Sequence, residues 1–513
     1  MTMSGRTQKS VKNIFANILY QVLTILLTFI LRSVFIYVLG VEYLGLNGLF
    51  ADVLSLLSMA DLGFNTAMVY SYYKPLADKD YKKMAALTFF YKKVYGIIAI
   101  AIAVIGIIII PFLPYVVNTE KQVEHLTIYY LLSLSGVIVS YMCVYRTSIL
   151  TADQNNYVLT RIRTITDIIK TILQVLILLL FKNYILYLAI NVLCSFFNNI
   201  YASYIAKKRY PFIVEKELLS KNERKEIFNN IKSIFFYKVS SVLLNATDNI
   251  IISALLGTII VGYYSNYLML QTKIVAIFSV IFTSLTASIG NLVVTENEEK
   301  RYEVFCCEQS FSYILSGVIV PCFAGLANDF IYVWIGKEYL LTKEVVFIIS
   351  INLFLNCVLQ PLWSYREATG MYVRTKWVMV ICALINLLLS VLFGWYIGLA
   401  GVLLASAIAR IVTYVWYEPR LLFEIYFKRS VMEYFKGLFI NACIVCILCI
   451  SMIMVSFQYM AGNWVELILK GIILFCVCGI CILAVYRKTD GFKLLMRRIK
   501  KYYVKIECKK EEY

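Results

Sequence analysis

Arg32, Asp52, Lys238 and Asp248 are charged residues set inside long apolar stretches of the chain. An arginine or aspartate at the centre of a membrane helix costs about 2.5–3.5 kcal/mol, so such residues normally line a cavity or pair with one another. The chemistry they offer is electrostatic: cations to hold an anionic group, and carboxylates to form ion pairs or carry a sodium ion or proton. Arg32 ends a polar series, Asn13, Asn17, Gln21, Thr24, Thr28 and Arg32, spaced 4, 4, 3, 4 and 4. Lys238, Ser241, Asn245 and Asp248 form a second series spaced 3, 4 and 3. Both spacings keep their residues on one face of a helix, and lipid would penalise that face, so it points at protein or water. Neutral members of such a stripe also serve as glue between membrane helices.

The two series are related. An offset of 217 places Gly40 on Gly257 and Gly45 on Gly262, in VLGVEYLGLN (38–47) and LLGTIIVGYY (255–264). The same offset places Gln21 on Lys238, Thr24 on Ser241, Thr28 on Asn245 and Arg32 on Asn249, beside Asp248. Matching stripes in two halves predict facing walls of one polar cavity, as in transporters built from repeats. Counting from Glu42 at the outer turn, Arg32 and Asp52 both lie about 15 Å deep at 1.5 Å per residue. Arg32 is therefore expected to exchange between Asp52, Asp248 and an anionic substrate. Asp61 lies about 25 Å from the turn, near the opposite interface. Asp167 and Lys170, at i and i+3, are expected to pair locally. Lys273 and Arg410 are further candidate cavity cations.

The elements that must position these residues are helices in a bilayer. Of 513 residues 61% are hydrophobic and the mean hydropathy is +0.76, well above what a soluble globule needs. Fourteen apolar segments, roughly 14–39, 44–72, 88–116, 126–149, 160–181, 184–206, 228–256, 259–294, 303–327, 345–365, 377–397, 399–420, 434–457 and 463–486, are each about long enough to span. Pro111 and Pro114 are expected to break the outer end of the third. The first segment, preceded by Lys9 and Lys12, is far longer than a signal-peptide core and is expected to remain as helix 1. The expected fold is all-α and polytopic. An N-terminal lobe of six helices (1–206) is followed by a basic cytoplasmic linker (207–227), a pseudo-symmetric second lobe of six (228–424), a terminal helix pair (425–486) and a basic tail (487–513).

Lysines and arginines set the orientation, since short loops rich in them stay cytoplasmic. With the N-terminus inside, 39 fall on the inner face and four, Lys121, Lys182, Lys337 and Lys343, on the outer. Both termini are therefore expected in the cytoplasm of a cell-membrane protein. The net charge of +18 reads as a topology signal and an affinity for anionic lipid, with no nucleic-acid footprint. None of the 14 cysteines lies in an outer loop. Cys443, Cys446 and Cys449, and Cys476, Cys478 and Cys481, read as small apolar residues on lipid-buried helices. A single histidine, His125, leaves no basis for histidine catalysis or a multi-histidine zinc site. No metal site, cofactor or catalytic residue is expected.

The chain resembles Wzx-type polysaccharide and oligosaccharide flippases, within the larger group that includes the MATE exporters and the lipid II flippase. The resemblance rests on RSVFIYVLGVEYLGLNGLF (32–50), ADLGFNTAMVYSYYKPLADKD (60–80), LTADQNNY (150–157), TASIGNLVVTE (286–296), YREATGMY (365–372) and YEPRLLFE (417–424). It implies fourteen helices in two six-helix bundles plus a terminal pair, rocking to expose a cavity to each side in turn. It also implies a substrate: an oligosaccharide on an undecaprenyl pyrophosphate carrier, moved from the inner to the outer leaflet. On the matching helix positions Arg32 and Lys238, with Lys273, would meet the pyrophosphate, although Asp52 and Asp248 make the cavity mixed in charge. Asn17, Gln21, Thr24, Thr28, Ser241 and Asn245 would suit sugar hydroxyls.

No Gly-rich phosphate loop with its Lys and Ser/Thr is present, so energy must come from an ion gradient, the membrane potential or substrate asymmetry. Asp52, Asp61 and Asp248 are the acidic candidates for sodium or proton coupling. A MATE-type multidrug or cation antiporter would share the fold but favour an acidic or aromatic cavity. A membrane polymerase or ligase would need a catalytic outer loop, and the longest outer connections, about 117–125 and 328–344, are short. Besides the lipid-linked oligosaccharide and the membrane itself, other polysaccharide-assembly proteins are the expected partners.

Overall fold

The computed structural model describes residues 5–61, 64–119 and 123–497, and among these every regular element is a helix. In hydrocarbon each backbone N–H and C=O must be satisfied within its own segment, which apolar stretches of this length achieve only as helices. The chain forms two compact units, 1–262 and 263–513. The first holds α1 (Gly5–Leu39), α2 (Val41–Leu57), α3 (Phe64–Asp78), α4 (Tyr81–Ile109), α5 (Leu113–Val116), α6 (Leu126–Tyr141), α7 (Val144–Ala152), α8 (Asn156–Phe181), α9 (Tyr184–Arg209) and α10 (Lys221–Leu256). The start of α11 (Thr258–Thr283) also belongs to it. The second continues with α12 (Thr286–Thr295), α13 (Glu298–Ile335), α14 (Lys343–Val358), α15 (Gln360–Thr369), α16 (Tyr372–Ile397), α17 (Leu399–Val412), α18 (Tyr414–Leu422), α19 (Met432–Gln458) and α20 (Trp464–Tyr486).

Among the described residues, twelve helical stretches are long and apolar enough to cross a membrane, or thirteen when α6 and α7, bent by 50°, count as one span. The stretch from α2 to α3 includes two undescribed residues and lies outside that count. Several stretches carry a short break in the helix. α2 ends in a 3-10 turn at Ser58–Asp61, α11 gives way to α12 at residues 284–285, and Pro361 starts α15 after α14. Pro111 and Pro114 do interrupt the third span: α4 stops at Ile109, a 3-10 turn covers Ile110–Phe112, and α5 restarts with Pro114 in its first turn.

In the first unit α1 packs along α8, α8 along α9, α9 along α6, and α10 along α2. The linker is folded as well. α9 runs on to Arg209, a 3-10 turn at Pro211–Val214 packs on α4, and Ser220 and Glu223 cap α10 reciprocally. The Tyr210 hydroxyl donates to Asp153 Oδ2 at 2.6 Å, and Glu223 pairs with Lys83. In the second unit α13 is the central helix, packed by α14, α19 and α20. Its Gly317 and Gly325 face Ile482, Leu474 and Met452, side chains that leave no room for a Cβ.

The four glycines of the repeat have two distinct jobs. Gly40 and Gly257 take positive φ values of 86° and 105°, which a side chain would strain. Gly45 and Gly262 permit close approach: a Cβ on Gly45 would overlap the Thr258 carbonyl, and one on Gly262 would overlap the Val41 carbonyl. The two contacts are mirror copies, because Val41 and Gly45 plus 217 give Thr258 and Gly262. The first turns of α2 and α11 therefore meet across a local pseudo-two-fold, the self-complementary geometry of an isologous interface. Around it Thr258 N–H donates to the Asn118 carbonyl at 2.8 Å and Ser253 Oγ to the Val116 carbonyl at 2.8 Å.

Gly45→Ala and Gly262→Ala should each destabilise the protein by about 1–3 kcal/mol, the usual cost of forcing extra volume into a packed contact. Gly96→Ala in α4, where a Cβ meets nothing within 4 Å, should leave the midpoint unchanged or raise it. Thermal unfolding of the purified variants in one detergent checks the contrast.

Candidate functional site

The polar series on α1 divides into two zones. Asn13 Nδ2 donates to the Gln154 carbonyl at 2.9 Å while its Oδ1 accepts from Tyr157 N–H at 2.7 Å. Thr160 Oγ1 donates to Asn17 Oδ1 at 3.1 Å. These bonds fasten the start of α1 to α8 and to the loop before it, which is how part of the motif LTADQNNY is used. Asp167 pairs with Lys170 at 2.8 Å, as their spacing leads one to expect, and also accepts from the Tyr20 hydroxyl at 3.0 Å. Farther along, Thr24 and Thr28 donate back to the carbonyls of Gln21 and Thr24. Their remaining lone pairs are left to face whatever lies beside the helix. Arg32 lies near Tyr187 of α9.

On the α2–α10 contact the side chains that meet are Asp52 and Asn249: Asn249 Nδ2 donates to Asp52 Oδ2 at 2.6 Å. Asp248 is close enough to Asp52 to interact with it electrostatically. Lys238 and Ser241 lie near the middle of α10, and Lys273 is half-buried in the second unit. The side chains of Asn245 and Asp61 fall outside the described residues. The polar spacing of α10 passes over Asn249, and its alignment on Arg32 is the one sequence signal that marks it.

A concavity of mixed polar and apolar lining lies wholly inside the first unit, with a volume of about 470 Å³. Asn47, Ser55 and Ser58 of α2 and its terminal turn, Ser133 and Ser140 of α6, and Asn191 of α9 line it. Serines spaced 3 or 7 along an apolar helix read in the sequence as packing residues, so the site emerges only when three helices are brought together.

Two buried ion pairs in the second unit correct expectations drawn from the sequence. Arg366, one of the inner-face cations by sequence, is 7% exposed and donates from one Nη to both Glu418 oxygens at 2.8 and 3.1 Å. Trp363 and Tyr372 stack on its guanidinium at 5.7 and 5.8 Å from their ring centroids. Asp329, placed by the sequence in an outer connection, is fully buried because α13 extends to Ile335. It pairs with Lys470 of α20 and accepts from Ser456 Oγ of α19 at 3.0 Å, while Lys470 Nζ also donates to the Tyr459 carbonyl at 2.7 Å. Arg410, a candidate cavity cation, is buried at the end of α17.

Residues 10–289, more than half of the chain, match the family model described as polysaccharide biosynthesis protein. The chain belongs to that family. No curated protein sequence matches the chain. Among solved structures, the lipid II flippase MurJ in an inward closed conformation aligns with a TM-score of 0.64 at 14% identity, covering 94% of this chain and 99% of that one. An inward-facing multidrug resistance MATE family transporter of the MOP superfamily gives 0.59 at 15% identity, covering 76% and 93%. A MOP superfamily transporter from Pyrococcus furiosus, whose binding pocket is described as reversed in polarity, gives 0.53 at 13%, covering 84% and 100%. These likenesses establish the fold. The chain is a multi-pass membrane protein with the helical architecture shared by MurJ and the MATE transporters.

Removing one partner of a buried pair leaves the other charge uncompensated, at a cost of about 3–5 kcal/mol. Lys470→Met should therefore lower the unfolding midpoint sharply. Adding Asp329→Leu should recover more than half of that loss, as read by thermal unfolding of the single and double variants.

Proposed function

We propose that this protein is a flippase that moves an undecaprenyl-pyrophosphate-linked oligosaccharide, a precursor of capsule, exopolysaccharide or a similar glycan, from the inner to the outer leaflet. Alternating access supplies the mechanism: the two lobes part on one side of the membrane as they meet on the other. The observation that carries this reading is the reciprocal contact between the first turns of α2 and α11. It is a self-complementary seam between two repeats, built from glycine approaches, a few backbone bonds and the Asp52–Asn249 bond. Membership of a polysaccharide-biosynthesis family and a fold like that of a lipid II flippase point to the class of cargo.

In this reading Arg32 and Lys238, with Lys273, attract the pyrophosphate, because guanidinium and ammonium groups make the strongest hydrogen bonds to phosphate oxygens. Asn17, Gln21, Thr24, Thr28, Ser241 and Asn245 offer neutral contacts to sugar hydroxyls. Asp52, Asp61 and Asp248 are the coupling carboxylates for sodium or protons. Asp52 breaks its bond to Asn249 as the seam opens, so its charge state and the position of the lobes are linked. Both termini lie in the cytoplasm, and no chemical step on the substrate is involved.

Wild-type protein in proteoliposomes should flip a defined undecaprenyl-pyrophosphate-linked oligosaccharide well above protein-free vesicles. Arg32→Ala should slow it about tenfold or more, the loss expected for one charge-assisted hydrogen-bonding group. Transport by wild type at the background rate overturns the reading. Transport of a lipophilic cationic dye that the lipid-linked sugar does not compete for would favour a MATE-type exporter.

A further inference from the structure

The concavity between α2, α6 and α9 lies apart from the α1 and α10 stripes and has no role in the seam. Asn47 is six residues into α2 and Ser58 directly follows its last residue, so the lined region runs from about 9 to about 25 Å along the helix. Ser133 and Asn191 are each seven residues into α6 and α9, at about 10 Å. The cavity thus passes through the middle of the apolar layer, where polar groups without polar company are costly. Phe50, Ala51, Leu54, Val137 and Leu188 share its lining, so polar and apolar walls alternate.

Its donors and acceptors define what fits. Ser58, Ser133 and Ser140 spend their hydroxyl protons on the carbonyls of Leu54, Tyr129 and Val137, at 2.8, 2.9 and 2.6 Å. Each therefore presents lone pairs to the cavity. Asn47, whose Oδ1 accepts from the Tyr184 hydroxyl at 3.4 Å, and Asn191 each bring an amide to the lining, with both donors and an acceptor. No charged side chain lines the cavity among the described residues. An anion would find acceptors and no cation; a cation would find no carboxylate. A ligand with several hydroxyls, each able to donate and accept, matches the set. At about 470 Å³ the cavity falls within the usual range for small-molecule sites, large enough for a sugar residue and too small for a long glycan. Phe50 is the aromatic residue in the lining, and Tyr184, which holds Asn47, packs in a cluster with Phe35, Tyr43, Tyr129 and Tyr187.

We propose that this cavity is a sugar-recognition subsite that takes one uncharged sugar residue of the transported glycan. The proposal rests on the flippase reading for the origin of the sugar, while binding itself can be measured without transport. Full-length protein in nanodiscs is offered the methyl glycosides of glucose, galactose and N-acetylglucosamine, with methyl glucuronide as a charged control, and binding is read by saturation-transfer NMR. At least one neutral glycoside should bind, and the glucuronide should bind more weakly. Asn47→Leu and Asn191→Leu should each weaken the neutral ligand about fivefold or more, the loss expected for one or two hydrogen bonds. Ser55→Phe should abolish binding by filling the cavity, and it serves as the decisive variant if an asparagine variant does not fold. Absence of neutral glycoside binding, binding undiminished in Ser55→Phe, or equal affinity for the glucuronide overturns the subsite. If glycoside binds as expected while lipid-linked sugar is flipped only at background, the flippase reading fails and the subsite stands.

Discussion

The contact on which the rest of the architecture hangs is the meeting of two backbones at Gly45 and Gly262. Each glycine lets a carbonyl of the other repeat approach where any side chain would collide, and each contact is the copy of the other under the 217-residue offset. The register of α2 against the start of α11 is thereby fixed. With it is fixed the depth at which residues about two turns from the seam, Asp52 on α2 and Asn249 on α10, find each other. A shift of one residue would rotate both side chains off the contact by about 100°.

The repeat is imperfect where the chemistry lies. Under the same offset Arg32 stands where Asn249 does, and Met269 where Asp52 does. The first repeat therefore holds a guanidinium and a carboxylate at these positions, and the second an amide and a thioether. Backbone features of the repeat are retained in both copies because they serve packing, which both copies need. Its charges, which the packing does not require, differ between the copies.

Much of the helical plan was legible from hydropathy, and the turn glycines were legible from spacing, since both signals are local. The fate of individual polar residues was not. Asn13 and Asn17 share a stripe with Thr24 and Arg32, yet they bond to α8 and the loop before it, which no periodicity in α1 alone discloses. Arg366 looked like any cation near a helix end, and only the approach of Glu418 from a segment 52 residues away makes it a buried partner. Asp329 was misplaced because α13 continues past the point where its hydrophobicity fades: the carboxylate is tolerated there through Lys470, 141 residues on. The α2–α6–α9 cavity is the same case in neutral form, visible only once three helices are in place.

The Asp329–Lys470 pair also has a bearing on how the chain is built. α20 carries a lysine less than two turns from its start, an unfavourable passenger for a helix entering the bilayer by itself. α13, with the carboxylate that accepts this lysine, emerges from the ribosome well before it. The last hairpin is thus matched to a surface made before it: its lysine is buried only where α13 brings the Asp329 carboxylate to it.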